Sequence, residues 1–307
     1  MNLRDLEYVV AVADHGSFSR AAEACNVSQP TLSGQIIKLE AEFGVSLFER
    51  TGRTVRVNAR AAGVVAEARA ALAAAANVAA AARASRDPFE GPLRVGIIAT
   101  VAPYLLPAAL PAAVKALPQT PLRFVEDVTD RLMRDLGEGA LDAAVIASEP
   151  DGARFAASAL YEEPFFLASA PAGRRARRTR TIPVEDIDPD RLLLLAEGHC
   201  LRDQALDLCG PRGAARNGAD VRAMSLETLR HLAAAGQGVT LAPLLAFAAW
   251  RRQSAGVEGR RLVGRGDSRT VRLVRRANTP RGDALDVLAA SLRASAASAL
   301  AAARAVV

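Results

Sequence analysis

From Leu93 onward the chain alternates short apolar strands with helical stretches, and that order most constrains what it can become. The segments "LRVGIIATV", "LRFVEDV" and "DAAVIAS" read as strands, separated by the helices "PYLLPAALPAAVKAL" and "DRLMRDLGEG". Helices inserted regularly between strands cover both faces of a parallel sheet, so this part is predicted as α/β. A second unit is expected to begin near Phe165 with "FFLASA". It continues through "RLLLLAEG", a helix from Ser225 to Ala235, and "GVTLAP". The strand "RTVRLVRR" and the helix from Asp283 would return to the first unit. Two such lobes joined by crossing strands form a cleft between them, where ligands usually bind.

The first 58 residues follow a different rule. Leu3, Leu6, Val9, Val10 and Ala13 recur at helical spacing, and "DHGS" ends that helix. Ser17 is placed to cap a second helix through Ala21, Ala22 and Ala24, and Ser28 a third, with Pro30 tolerated in its first turn. The third helix turns Leu32, Ile36 and Leu39 inward and opens with small polar residues and glutamine. Two helices joined by a tight turn, the second offering such side chains, describe a helix-turn-helix reader of base edges. "GVSLFERTGRTVRVN" adds a strand–turn–strand wing bearing Arg50, Arg53 and Arg56. The bland reading, an ordinary three-helix core module, fits the periodicity equally well. Ala59 to Ala84 form a long alanine-rich helix that would be marginal alone and is expected to pack on another helix. "SRDPFEGP" reads as a hinge after it.

Charge does not locate the function. The net charge of +6 invites nucleic acid, yet the residues before the long helix are slightly acidic. The basic excess lies in "GRRARRTR", read as a solvated loop, and between Arg251 and Arg281. No secretory apolar run opens the chain, and no uninterrupted apolar stretch has membrane-spanning length, so a cytoplasmic protein without membrane contact is expected. Three cysteines make neither a disulfide framework nor a zinc pattern, and no cofactor is expected. Cys25 reads as core on the inner face of the second helix. His15 and His231 read as solvated or structural.

The block "FSRAAEACNVSQPTLSGQIIKLEAEFGVSLFER", followed by a long helix and two α/β lobes, resembles the LysR-type transcriptional regulators. Within that family, "GPLRVGIIATVAPYLLP", "EGHCLRDQALDLC" and "SLETLRHLAAAGQGVTLAP" are similar to the peroxide-sensing members. The resemblance implies an α/β chain in three parts: a winged helix-turn-helix (1–58), a linker and dimerisation helix with hinge (59–90), and a redox-sensing domain (91–307). Lobe I would comprise 91–163 and 268–307, and lobe II 164–267. It further implies Gln29, Pro30 and Ser33 facing bases of double-stranded DNA, and Thr31, Arg50 and Arg53 near phosphates. Cys200 and Cys209 would be redox-active, with Thr100, Thr129, His199 and Arg269 around hydrogen peroxide. The implied partners are a second copy or three, RNA polymerase, and a thiol reductant such as glutaredoxin or thioredoxin. One departure stands at the linker start, where the family often has Thr-x-Ala-Gly and this chain has Asn58-Ala59-Arg60-Ala61.

If "LRDQALDL" is helical, the two cysteines lie about 13 Å apart along the axis, on nearly opposite faces. A disulfide needs Cα atoms roughly 4.4–6.8 Å apart, so bond and helix would exclude each other. His199 and Arg202 are expected to favour the Cys200 thiolate, with Glu197 and Asp203 opposing them. Thr100 and Thr129 read alone are strand-end and helix-cap residues. The rival functions are a thiol peroxidase, which has no need of a DNA-reading head, and a regulator taking a small effector in the cleft. A non-enzymatic regulator is the reading the residues favour.

Overall fold

The computed structural model describes residues 1–51, 54–171, 179–210, 222–223, 225–253 and 256–307, the side chains of Arg50, Thr51, Thr54 and Arg222 excepted. Two compact units divide the chain, Met1–Ala82 and Arg83–Val307.

The first unit is built by its caps. Asn2 accepts from the Asp5 amide, and Asp5 returns the bond, which starts α1 (Leu3–His15). Gly16 ends it in the left-handed conformation. Ser17 caps α2 (Phe18–Ala24) through the Arg20 amide, and Ser28 caps α3 (Gln29–Phe43) through the Thr31 amide. Leu32, Ile36 and Leu39 face inward onto Val9, Val12 and Ala21, as their spacing predicts. The wing forms as β1 (Phe48–Thr51) pairs antiparallel with β2 (Thr54–Val57), and its turn at 52–53 lies outside the described residues. Cys25 packs against the same core as Ala21 and Ala22, as expected, but as the half-buried C-cap of α2 and not within the helix, which stops at Ala24. A 3₁₀ turn over Ala59–Ala61, capped by Asn58, precedes α4 (Ala62–Ala84).

The second unit holds one mixed sheet rather than the parallel sheet expected. β3 (Leu93–Ile98), β4 (Leu122–Asp127) and β5 (Ala143–Ile146) are mutually parallel, joined through α5 (Ala102–Ala116) and α6 (Thr129–Glu138). β6 (Phe155–Ser169) is 15 residues long and runs through both lobes, changing partners between Pro164 and Phe165, beside the position where the second unit was expected to start. Its first part pairs antiparallel with β12 (Ser268–Arg276), and its last part with β10 (Val239–Pro243) and β11 (Glu258–Val263). The second lobe is completed by β7 (Thr181–Pro183), β8 (Leu192–Leu195) and β9 (Arg222–Ala223). Its helices are α7 (Cys200–Leu208), α8 (Leu226–Ala234) and α9 (Leu244–Arg252). β12 lies beside β5, so the last strand does return to the first lobe.

Close packing fixes the layers. A Cβ on Gly96 would meet Leu132 and Leu141 side chains at 2.7 Å, so α6 lies directly on β3 there. The C-terminal helix α10 (Gly282–Arg304) and α4 are long and apolar enough, by length and composition, to cross a bilayer. α10 instead buries a continuous face, including Leu285, Leu288 and Leu292, in the second unit's core.

Candidate functional site

The strands β3, β4 and β5 end on one side of the first lobe, and β8 of the second lobe ends facing them. At that junction the sequence brings together residues far apart in the chain. Gly198 adopts φ +87°, a conformation in which a side chain would be strained and would press on Val128. This turn lets the Gly198 carbonyl accept from the Thr129 amide at 3.2 Å, tying the second lobe to the start of α6. His199 then caps α7 with its backbone, and Cys200 is the first helical residue, buried at 7% exposure. A thiol at a helix N-terminus sits where the macrodipole favours its anion. From the next turn, Gln204 donates to the Ala147 carbonyl of the first lobe at 2.7 Å.

Arg269 reaches the same junction from β12. Its Nη1 donates to Thr100 Oγ1 at 2.9 Å and its Nη2 to the Thr100 carbonyl at 3.1 Å. Nε and Nη2 both donate to Glu163 Oε1, at 2.9 and 2.7 Å. Both side chains of this ion pair are 1% exposed. Burial pushes the guanidinium toward neutrality, but Glu163, Tyr161 and Cys200 outweigh it, so Arg269 stays charged with its pKa raised. Thr100 lies two residues beyond β3 and is buried. Thr129 is the first residue of α6, and its hydroxyl, like His199 Nε2 and Gln204 Oε1, is buried without a hydrogen-bond partner. Such open positions are uncommon in protein interiors.

The structure therefore gathers Thr100, Thr129, His199, Cys200 and Arg269 at one junction. Cys209 is at the far end of α7 as its C-cap, 8% exposed, and both thiols are free. With an intact helix between them, the two sulfur atoms lie beyond bonding reach. Two expectations about Cys200's surroundings change. Burial lowers the His199 pKa, with Asp127 only partly opposing, so the imidazole is held neutral and adds no cation at neutral pH. Arg202 turns inward and donates to the Leu195 carbonyl at 3.2 Å. Arg269, 69 positions further on, is a cation whose charge interacts with Cys200. Glu163, which holds it, had no signal in the sequence. Its neighbours "YEEP" look like a solvated pair of acids, and only the pairing of Glu163 with Arg269 across β6 and β12 distinguishes it.

In the first unit, Gln29, Pro30 and Thr31 are exposed at the start of α3, and Ser33 is half-buried. Ile37, 56% exposed on the same helix, is a surface apolar side chain the sequence reading passed over. It suits contact with a thymine methyl. The backbone of Arg50 lies on β1; its side chain and Arg53 are outside the described residues.

A winged helix-turn-helix followed by a long helix and a two-lobed α/β body defines a bacterial DNA-binding regulator. Residues 3–62 match the bacterial regulatory helix-turn-helix protein, lysR family, and residues 86–297 match the LysR substrate binding domain. The chain belongs to the LysR family. It is 40% identical over 294 residues to the DNA-binding transcriptional dual regulator OxyR of Escherichia coli K12, covering 96% of this chain and 95% of that protein. A solved full-length OxyR variant from Pseudomonas aeruginosa is 38% identical with a TM-score of 0.66, covering 95% of this chain and 98% of its own. A hydrogen-peroxide-bound OxyR variant from Corynebacterium glutamicum is 32% identical with a TM-score of 0.61, covering 99% and 95%.

Proposed function

We propose that this chain is a DNA-binding transcriptional regulator of peroxide-defence genes, switched by a reversible Cys200–Cys209 disulfide. The observation that carries the reading is the placement of Cys200 at the N-terminus of α7, beside a charged Arg269 and beside the unfilled hydrogen-bond positions of Thr129 and His199. The OxyR relatives, one of them with hydrogen peroxide bound, support it.

In this reading the Cys200 thiolate attacks one peroxide oxygen. The O–O bond breaks, an S–OH forms, and hydroxide leaves to take up a proton as water. Thr100 and Thr129 orient the peroxide, neutral His199 donates or accepts a hydrogen bond, and Arg269 stabilises charge on the departing oxygen. α7 then unwinds, Cys209 attacks the sulfenic sulfur, a second water leaves, and the disulfide closes. Each event consumes one peroxide and oxidises two thiols, and its output is the changed shape of a DNA-binding regulator, so the protein acts as a sensor. A dithiol reductant such as glutaredoxin or thioredoxin reverses it.

Residues 1–58 serve as the DNA head, 59–90 as linker and dimerisation helix, and 91–307 as the sensor, with lobe I at 91–163 and 268–307 and lobe II at 164–267. Gln29, Pro30 and Ser33 read bases while Thr31, Arg50 and Arg53 hold phosphates. The working form is a cytoplasmic homodimer or homotetramer that engages RNA polymerase, and rearrangement around α7 changes the spacing of its heads.

Trypsin makes the test direct, because cleavage at Arg191, Arg202 and Arg212 places Cys200 and Cys209 in separate peptides, 192–202 and 203–212. After one equivalent of hydrogen peroxide, those peptides are expected linked and two hydrogens lighter, with the link absent in Cys200→Ser. Free thiols in both peptides after minutes at micromolar peroxide would end the proposal.

A further inference from the structure

We propose that Glu163 is a positioning residue for Cys200: its carboxylate aims the Arg269 guanidinium at Thr100 and sets how much of that positive charge reaches the thiolate. The inference rests on the proposed role of Cys200 and Arg269 and adds to it the group that controls both.

The geometry carries it. Glu163 and Arg269 face each other in register across β6 and β12. One carboxylate oxygen takes two guanidinium donors, which leaves Nη1 free to reach Thr100 Oγ1. The other oxygen accepts from the Leu245 amide at 3.2 Å, in the first turn of α9. The carboxylate is thus held from both sides, by a cation and by a helix N-terminus, and cannot swing away without leaving a buried partner unsatisfied. Tyr161, two residues earlier and so on the same face of β6, is buried with an unpartnered hydroxyl.

The charge balance follows from the burial. An Arg269 without Glu163 would be an uncompensated buried cation, drawn to the nearest available anion. The Cys200 thiolate is within its electrostatic reach. The remaining charged or titratable groups at the junction are Tyr161 on β6, His199, Arg202, Asp203 and Asp207 on or beside α7, Asp127 at the end of β4, and Asp130 on α6. Among the described residues, Glu163 is the acid that hydrogen-bonds the guanidinium, with both side chains 1% exposed. Its charge offsets that of the guanidinium while its two bonds keep Arg269 pointed at Thr100. The thiolate fraction and the peroxide rate would then move in opposite directions when the carboxylate is neutralised.

The test uses the full chain with Glu163→Gln, which keeps size and loses charge, and Glu163→Asp, which keeps charge and shortens reach. Iodoacetamide alkylation of peptide 192–202 is followed against pH, and peroxide oxidation of the same peptide is timed at fixed pH. Glu163→Gln is expected to shift the alkylation profile to lower pH, a gain of about tenfold in alkylation below the wild-type midpoint. Its peroxide rate is expected to fall by about tenfold to a hundredfold, since Arg269 loses its aim. Glu163→Asp should keep the wild-type alkylation profile and lose part of the peroxide rate. An unmoved alkylation profile in folded Glu163→Gln, or parallel changes in both rates, overturns the proposal. Where Glu163→Gln does not fold, a Glu163→Asp variant with wild-type peroxide rate overturns it. A wild-type Cys200 inert to peroxide sinks the sensing function, while the alkylation profiles still decide whether Glu163 governs the thiol.

Discussion

In the proposed switch α7 and the disulfide exclude each other, so replacing Ala205 by glycine should make the bond easier to form. Ala205 lies mid-helix and is 4% exposed. Glycine in a helix interior costs about 1 kcal/mol relative to alanine. The lost buried methyl adds about 0.8 kcal/mol. Both penalties fall on the reduced form, so the change totals roughly 1.8 kcal/mol, or about 40 mV at ~30 mV per 1.4 kcal/mol for a two-electron couple. The sign is fixed: a less stable dithiol state gives a more negative reduction potential. The measurement equilibrates the full chain in a series of glutathione buffers, quenches with acid, and counts linked against free peptides 192–202 and 203–212. Ala289→Gly, equally buried on α10, supplies the control, since that helix lies outside the segment the disulfide would close. A midpoint that stays put for Ala205→Gly, or moves toward less negative values, would refute the idea that helix and disulfide compete.

Acidification should destabilise the reduced protein through His199. Its folded pKa lies below the ordinary value, so its contribution is intact above about pH 6.5 and is lost as pH falls through the lowered folded value. The melting temperature of His199→Asn should therefore depend less steeply on pH between about 6.5 and 5 than that of wild type; identical slopes would count against a buried neutral imidazole. In the DNA head, Gln29→Ala should weaken promoter binding by about 1–3 kcal/mol while the salt dependence stays the same, read by fluorescence anisotropy at several salt concentrations. Ser28→Ala removes the N-cap of α3 and should lower stability of the head by about 1 kcal/mol in thermal melts, with no change in the redox midpoint.

How much of this was legible before any coordinates depended on how local the physics is. The caps at Ser17 and Ser28, the inward spacing of Leu32, Ile36 and Leu39, and the wing between Phe48 and Val57 are fixed by residues within a few positions of one another. They read correctly because such interactions leave their mark in composition and period. The same holds for β3, β4 and β5 and the helices between them. α7 was legible only conditionally: its apolar and polar residues fit a helix, but the incompatibility of helix and disulfide rests on both cysteines being held at its ends.

The tertiary structure alone decided the rest. Only the second half of β6, "FFLASA", reads as a strand in sequence; its partners change from β12 to β10 and β11 midway along it. Crossing strands between the lobes were expected, but the antiparallel pairing they impose on the sheet leaves no local trace. His199 reads as a cation beside a cysteine until burial between the lobes removes its proton. Glu163 and Arg269 stand 106 positions apart, and a buried charge pair has no period, cap or turn to announce it. The sequence determined which helices and strands form, since those depend on neighbours along the chain. Which charges face Cys200 was decided by desolvation and by pairing across the sheet, which exist only once the lobes have closed on each other.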